Sequence, residues 1–412
     1  MSWENRGSIN AGTAQATVYS TDGGTNFRWA RIDGEVTQVY DTDYADPAVA
    51  IMAAWAWLDG QGGGVLRTRG PGETWVTEVE ITSQGPYITW ISDWSLLLQG
   101  IAGLDDNLIY IYQDDYVSLI GLNLDHQCLD QSTGDAIRVY DSHYLFFSRI
   151  KILDARVYGL RLQYCDWCTA EYIYVDGAGV ENGFAWGAGC NFCYGYRIVA
   201  TRCGGVGINC YQATFCTLKE CVAYTNRDQL GIGSGGGTVS GFTCEESYDI
   251  KYVRCRAWDN NQHGFMSNSP LVRAERVELI NCDFFDNDEH GISIWNNAFK
   301  HHIKGGLIYN NVDDDILVND GTDCLIENVQ IESAAGITCI EANTAPHLRV
   351  TNCKFITTGT GLDINNANVT DCIVDQNDFN DCTTDVAAGA AVNPHWGSNL
   401  DQAGNWDTGV QP

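Results

Sequence analysis

Four short polar runs carry most of the chemistry available to this chain. They read Asn226-Arg227-Asp228, Asp259-Asn260-Asn261-Gln262-His263, Asp286-Asn287-Asp288-Glu289-His290 and Asn310-Asn311-Val312-Asp313-Asp314-Asp315. His263 and His290 each end a run and each precede a glycine. Imidazoles beside carboxylates and a guanidinium supply a base, a proton donor and a cation. In a lyase acting on a uronate, His263 or His290 would remove the proton next to the carboxylate, and Arg227 would stabilise the enolate. In a glycosidase, two of Asp259, Asp286, Asp288 and Glu289 would flank the scissile bond. Asp286, Asp288, Asp313 and Asp314 offer hard oxygen ligands for calcium. Tyr224, Trp258 and Trp295 edge the runs as faces on which a sugar could stack, with Asp228 as a polar contact. The plain alternative is that Asn and Asp close tight turns by satisfying backbone groups, and that the turn tolerates His before Gly. Residue types alone leave these readings open.

The elements that must position the runs announce themselves by a period. A glycine followed by a large apolar residue recurs as Gly159-Leu160, Gly183-Phe184, Gly207-Ile208, Gly231-Ile232, Gly264-Phe265, Gly291-Ile292, Gly336-Ile337 and Gly361-Leu362. Ala136-Ile137 and Asp315-Ile316 fill the same slot. Self-similarity at intervals in the twenties signals stacked supersecondary units. After each anchor the apolar residues alternate, as in Ile137 and Val139, Leu160 and Leu162, and Ile292 and Ile294, which is the mark of a strand with one buried face. A second short strand follows, as in Val277-Glu278-Leu279-Ile280, and ends in an Asn- and Asp-rich turn. The frame of a leucine-rich repeat is absent. Each unit reads as one coil of a single-stranded parallel β-helix, an all-β solenoid of about ten to twelve coils.

The cysteines follow the coils. Cys165-x-x-Cys168 and Cys190-x-x-Cys193 imitate a four-thiolate zinc site. Their separation is one coil, however, and Cys168, Cys193, Cys216, Cys324 and Cys372 hold a common place after their anchors. Cys221, Cys255, Cys282 and Cys353 form a second column. Columns of small apolar thiols inside the helix account for both, so zinc is disfavoured. Seventeen is odd, so at least one thiol has no partner within the chain.

The formal net charge is −30, and the acids are mostly Asp (37 against 16 Glu) while the bases are mostly Arg (17 against 6 Lys). Short hydrated carboxylates with few lysines fit high-salt surroundings, where screening removes the self-repulsion. With no basic patch to neutralise phosphates, nucleic acid is excluded as a partner. No 18-residue apolar run exists, so no membrane span is expected. The start Met1-Ser2-Trp3-Glu4-Asn5-Arg6 is not a secretory signal, which fits a piece of a longer precursor or a virion protein released by lysis.

Residues 1–44 read as an attachment or capping segment, 45–382 as the β-helix and 383–412 as a C-terminal cap or oligomer contact. Asp46-Pro47 opens a helix over 46–58, with Asp as N-cap and Pro in the first turn, placed to cover the first coil. Gly62-Gly63-Gly64 ends it, and strands begin at Gly64-Val65-Leu66, Thr74-Trp75-Val76 and Val79-Glu80-Ile81 around a Pro71-Gly72 turn. This order of helix, glycine run, strand, Pro-Gly turn and strand resembles the N-terminal part of the pectate-lyase-like superfamily, above all the module of phage and archaeal-virus tailspikes. The resemblance implies a right-handed helix. It also implies a virion-associated or cell-surface spike that recognises host-surface glycan, located outside the cell or on the virion. A symmetric homo-oligomer is expected, a trimer being favoured, or else attachment to a virion partner. The alternative it implies is an extracellular polysaccharide lyase, hydrolase or epimerase acting on an acidic polysaccharide. The polygalacturonase pattern is incomplete: Arg149-Ile150-Lys151 is present, but Gly-His-Gly is not, and Asp114-Asp115 lies upstream. Gly231-Ile232-Gly233-Ser234-Gly235-Gly236-Gly237-Thr238 lacks the ending of a phosphate loop and reads as a lip over the Asp/His runs.

Overall fold

The computed structural model describes residues 14–20, 26–33, 36–40, 42–70, 72–82, 87–93, 96–101, 103–127, 131–227, 239–268, 271–379, 382–389, 391–400 and 406–407. The chain forms two compact units, Met1–Val175 and Asp176–Pro412. Both are built from parallel β-coils.

In the first unit the strands that follow the anchors, Val79–Ile81, Ile109–Tyr112, Ile137–Tyr140 and Leu160–Gln163, pair in parallel and in register. Their alternation is as the sequence dictates: Ile109, Ile111, Ile137, Val139, Leu160 and Leu162 are buried, while Tyr110, Arg138 and Arg161 face outward. The coils begin earlier than the glycine run suggests, because Gln15–Ser20 pairs in parallel with Gly64–Arg69 and antiparallel with Phe27–Asp33, which in turn pairs with Val36–Val39. The helix runs Pro47–Gly60, and Asp46 caps it by accepting the Ala48 N–H at 2.9 Å. It lies against Gln15–Ser20 as well as Gly64–Arg69, so it is not a simple lid on the first coil. Gly62 and Gly63 take φ of 81° and 110°, conformations that end the helix and that only glycine adopts freely.

In the second unit the anchor strands are Phe184–Trp186, Ile208–Tyr211, Phe242–Glu245, Phe265–Asn268, Ile292–Ile294, Ile316–Val318, Ile340–Ala342, Thr360–Asp363 and Thr384–Ala387. Thirteen anchor strands are thus present, somewhat more than expected. Two anchors differ from the sequence reading. Gly241-Phe242 and Cys339-Ile340 open their strands, in place of Gly231-Ile232, which lies outside the described residues, and Gly336-Ile337. Gly336 instead sits at φ 82° in a turn. Pairing also continues past Thr383, through Thr384–Ala387 and His395–Trp396.

One corner rule generates the interior columns. Glu220, Arg254 and Asn281 have φ of 54°, 53° and 50°, and each precedes a cysteine: Cys221, Cys255 and Cys282. Thr225, Asp259, Asp286 and Asn310, with φ of 53°, 53°, 53° and 54°, precede Asn226, Asn260, Asn287 and Asn311. A left-handed residue turns the chain sharply and throws the next side chain inward, where only a small or self-satisfied group fits. Each thiol then donates to the carbonyl two residues back, Cys216 to Thr214 at 3.4 Å and Cys221 to Lys219 at 3.5 Å. All sixteen described cysteines are buried; Cys128 lies outside the described residues.

The buried asparagines form a second ladder. Asn226 Nδ2 donates to Asn260 Oδ1 at 2.8 Å, Asn260 to Asn287 at 2.9 Å, Asn287 to Asn311 at 2.9 Å, and Asn311 to Asp315 at 2.6 Å. This ladder explains the glycine anchors. A Cβ on Gly207 would lie 2.6 Å from Asn226 Nδ2, and one on Gly264 would lie 2.7 Å from the Gly291 carbonyl and 2.9 Å from Asn287 Nδ2.

Candidate functional site

The polar runs divide into an interior part, an ionic clasp and a cavity, all within the second unit. The asparagines belong to the interior and are absorbed by the ladder. Asp259 and Asp286 occupy left-handed corners, and Asp259 Oδ2 also accepts the Thr225 hydroxyl at 3.0 Å. Arg227 closes the clasp: its Nη2 lies 2.5 Å from Asp259 Oδ1 and 3.5 Å from Asp288 Oδ2. A guanidinium already held by two carboxylates is a weaker partner for a developing enolate, although the Arg227 Nε is buried without a hydrogen-bond partner among the described residues. Asp228 and the glycine-rich lip from Gly231 lie outside the described residues.

Trp258 does not present a free face, and Tyr224 has one face covered. Tyr224, Trp258, Phe285 and Tyr309 stack in sequence at 4.8, 5.5 and 4.7 Å, with planes within 7° of parallel. Each ring covers the next, so Trp258 and Phe285, inside the stack, offer a ligand edges rather than faces. Sequence reasoning named the residues but could not see that period-matched outward aromatics fall on one another.

His263 and His290 are brought together as expected, stacked at 5.3 Å with planes 10° apart. His263 is 6% exposed, and its Nε2 is 3.4 Å from Glu289 Oε2. Burial, and then the neighbouring His290, hold its pKa down at about 3, so it is neutral at physiological pH. His290 is also held below the usual range by burial. Its Nδ1 lies 3.0 Å from the Asp314 carbonyl oxygen, an acceptor, so Nδ1 carries the proton and Nε2 keeps its lone pair. Burial and the adjacent Asp313 and Asp288 raise Glu289.

His290 opens onto a cavity of about 340 Å³. Trp295, Asp313, Asp314, Asn319, Glu341 and Asn343 supply most of its functional groups. Asp314 is pushed up to about 8, first by burial and then by its hydrogen bond with Glu341 and the Glu341 charge. At neutral pH Asp314 therefore keeps its proton beside Glu341. Asp315, one residue on, turns inward to end the asparagine ladder and is raised to about 6 by burial. Glu341 escaped the sequence reading, although alternation marks it, since Ile340 and Ala342 on either side are buried.

Among the described residues no three His, Cys, Asp or Glu side chains gather to hold a metal ion. Asp286 stands at a left-handed corner, Asp288 in the Arg227 clasp and Asp313 and Asp314 at the cavity, so the expected calcium quartet is spread over three places. Arg149 takes φ 54° at an exposed corner, which gives Arg149-Ile150-Lys151 a turn role. No helix among the described residues is long and apolar enough to cross a membrane.

No curated protein matches the chain by sequence. Among solved structures it is similar to the A-module of the Azotobacter vinelandii mannuronan C-5 epimerase AlgE4, with a TM-score of 0.60 at 15% identity, covering 84% of this chain and 93% of that one. The A-module of the AlgE6 epimerase from the same organism gives a TM-score of 0.60 at 13% identity, with 85% and 95% covered. The Dettilon tailspike protein gives 0.53 at 14% identity, with 93% and 68% covered. At these identities the likeness is one of fold. A family model, the right handed beta helix region, matches residues 107–306 and 271–405, well over half of the sequence. The coils, their parallel register and this match together make the chain a member of the right-handed β-helix family.

Proposed function

We propose that this protein is a glycan-binding β-helix of the spike type, which takes a saccharide into the cavity lined by His290, Trp295, Asp314, Asn319, Glu341 and Asn343. The observation that carries the reading is the cavity itself. It pairs an indole with amide and carboxyl groups, the mixture of apolar face and directed hydrogen bonds that sugars require. The tailspike and epimerase folds support a glycan as the ligand class. The net charge of −30 and the Asp-rich, Lys-poor composition support salty surroundings; action outside the cell or on a virion, as a homo-oligomer, belongs to the same proposal.

A second reading has its own support. His290 offers a neutral Nε2 as base, and the Asp314 and Glu341 pair holds a proton near neutrality, so the site has the parts for acid–base chemistry on a sugar. Hydrogen-bonded carboxyls are too close to flank a glycosidic bond as separate acid and nucleophile, which need a separation of about 5 Å. No Lys or Arg lines the cavity, so a uronate carboxylate would meet Asp313, Asp314 and Glu341 unshielded. Both points favour binding over processing of an acidic polysaccharide.

Calorimetric titration with uncharged oligosaccharides, together with assays for unsaturated products and new reducing ends, separates the readings. Binding without turnover, lost in Trp295→Ala, supports the spike. Turnover lost in Glu341→Gln would move the protein to the enzyme class, and no saccharide binding at all would end both.

A further inference from the structure

The first unit carries a cationic cluster that stands apart from everything above. Arg138 and Arg161 project from the outer faces of Ile137–Tyr140 and Leu160–Gln163 and are direct register partners. Strand neighbours lie about 4.8 Å apart, and like charges opposite each other on one face repel. The arrangement is all the more unusual in a chain with 23 basic and 53 acidic residues. Several outward guanidiniums elsewhere meet a carboxylate closely, as Arg256 does Asp283 at 3.2 Å and Arg197 does Glu220 at 3.0 Å. Among the described residues Arg138 makes no ion pair, and its Nε is a buried donor with no hydrogen-bond partner. The nearest acid to Arg161 is Asp135, with a long Nη1–Oδ2 separation of 3.9 Å.

The surroundings fit an anionic sugar. The Arg138 guanidinium lies 5.9 Å from the centre of the Tyr110 ring, and Arg161 lies 4.4 Å from that of Tyr158. Tyr112 and Tyr140 stand beside them, 5.9 Å apart and tilted by 36°, with Tyr112 also stacked on Tyr110 and Tyr140 met edge-on by Tyr164, so together they form a continuous aromatic wall. Glu78, within range of Tyr110, is raised to about 7 by burial and so carries only part of its charge at neutral pH, while Glu80, the register partner of Tyr110, is exposed to solvent. We propose that Arg138 and Arg161 together hold an oxyanion borne on a glycan, a sulfate ester or a carboxylate, against the wall formed by Tyr110, Tyr112 and Tyr140. Two adjacent guanidinium forks match the oxygens of such a group, and the ligand supplies the charge that the protein withholds.

The test uses the full chain and three probes: a sulfated galactan oligosaccharide, an oligouronate and an uncharged malto-oligosaccharide. At low ionic strength at least one charged probe is expected to bind, the preference between them identifying the oxyanion, with affinity falling as salt rises. Arg138→Gln and Arg161→Gln should each weaken binding by about tenfold, and the double variant should abolish it. Arg138→Lys with Arg161→Lys keeps the charge and is expected to recover part of the binding, with circular dichroism confirming the fold of each variant. Trp295→Ala should leave these affinities unchanged, which separates this site from the cavity of the second unit. Failure of both charged probes to bind, or equal binding by the folded double glutamine variant, overturns the assignment.

Discussion

The anchor strands of the two units are alike on their inner faces and opposed on their outer ones. Inside, Ile109, Ile111, Ile137 and Val139 of the first unit do the same work as Ile292, Ile294, Ile316 and Val318 of the second. Outside, the first unit presents Tyr110, Arg138 and Arg161, whereas the second presents Trp295, Asn319 and Glu341 around Asp314. The inner position is constrained by the coils stacked on it, since a misfit there is felt by every neighbour. The outer position is released from that stacking and is free to change polarity and sign, although in the second unit Thr243, Ser293 and Leu317 are themselves covered. Chemistry on such a scaffold is written in the outward half of an alternation whose inward half is fixed by packing.

If that division is right, the inner columns should tolerate least. Gly264→Val is expected to prevent folding or lower the thermal midpoint most severely, at a cost of roughly 3 kcal/mol or more, because its Cβ would sit 2.7 Å from the Gly291 carbonyl and 3.0 Å from Phe284 Cβ. A variant that melts like the wild type would break the comparison at its root. Asn287→Ala should cost about 2–4 kcal/mol in chemical denaturation, since it removes the acceptor of the Asn260 backbone N–H and of one Asn260 amide hydrogen, and one donor to Asn311 Oδ1, in the interior.

The outer cavity should show itself through pH. The Asp314 carboxyl has an ordinary pKa of 3.8 and is raised to about 8 in the fold, so the folded state binds the extra proton between these values. The resulting stabilisation is complete below about 3.8 and is lost as pH rises toward about 8. Glu341→Gln removes the like-charged partner and should make this part of the stability profile shallower, with burial keeping the rest. An unchanged slope would show that Glu341 does not help to raise Asp314. The smallest effect is expected for Trp258→Leu, about 1 kcal/mol from lost stacking between Tyr224 and Phe285, with saccharide affinity untouched. A loss of affinity there would return Trp258 to the binding surface.

Much of the fold was legible because it depends on repetition. The anchor at Ala136-Ile137, the alternation of Leu160 and Leu162 and the columnar cysteines each state the coil length independently. The anchor at Gly336 misled because a glycine needed for a turn looks like a glycine needed for close packing. Arg227, Tyr224 and Trp258 show a different limit: residues named as contacts for a substrate already touch neighbours one coil away. His263 with His290 was found by register, and Glu341 was missed because it sits in a strand rather than a conspicuous polar run.

By itself the sequence determined the coil, its period, its inner face and the placement of two histidines in one column, because those follow from local alternation and a repeated length. Only the tertiary structure decided which polar groups are spent and which are available. Asn260 and Arg227 are consumed by partners one coil away, whereas Asp314 meets Glu341 and Arg138 meets Arg161. Those pairings join residues of different coils, and their energies depend on burial and distance, which no local pattern records.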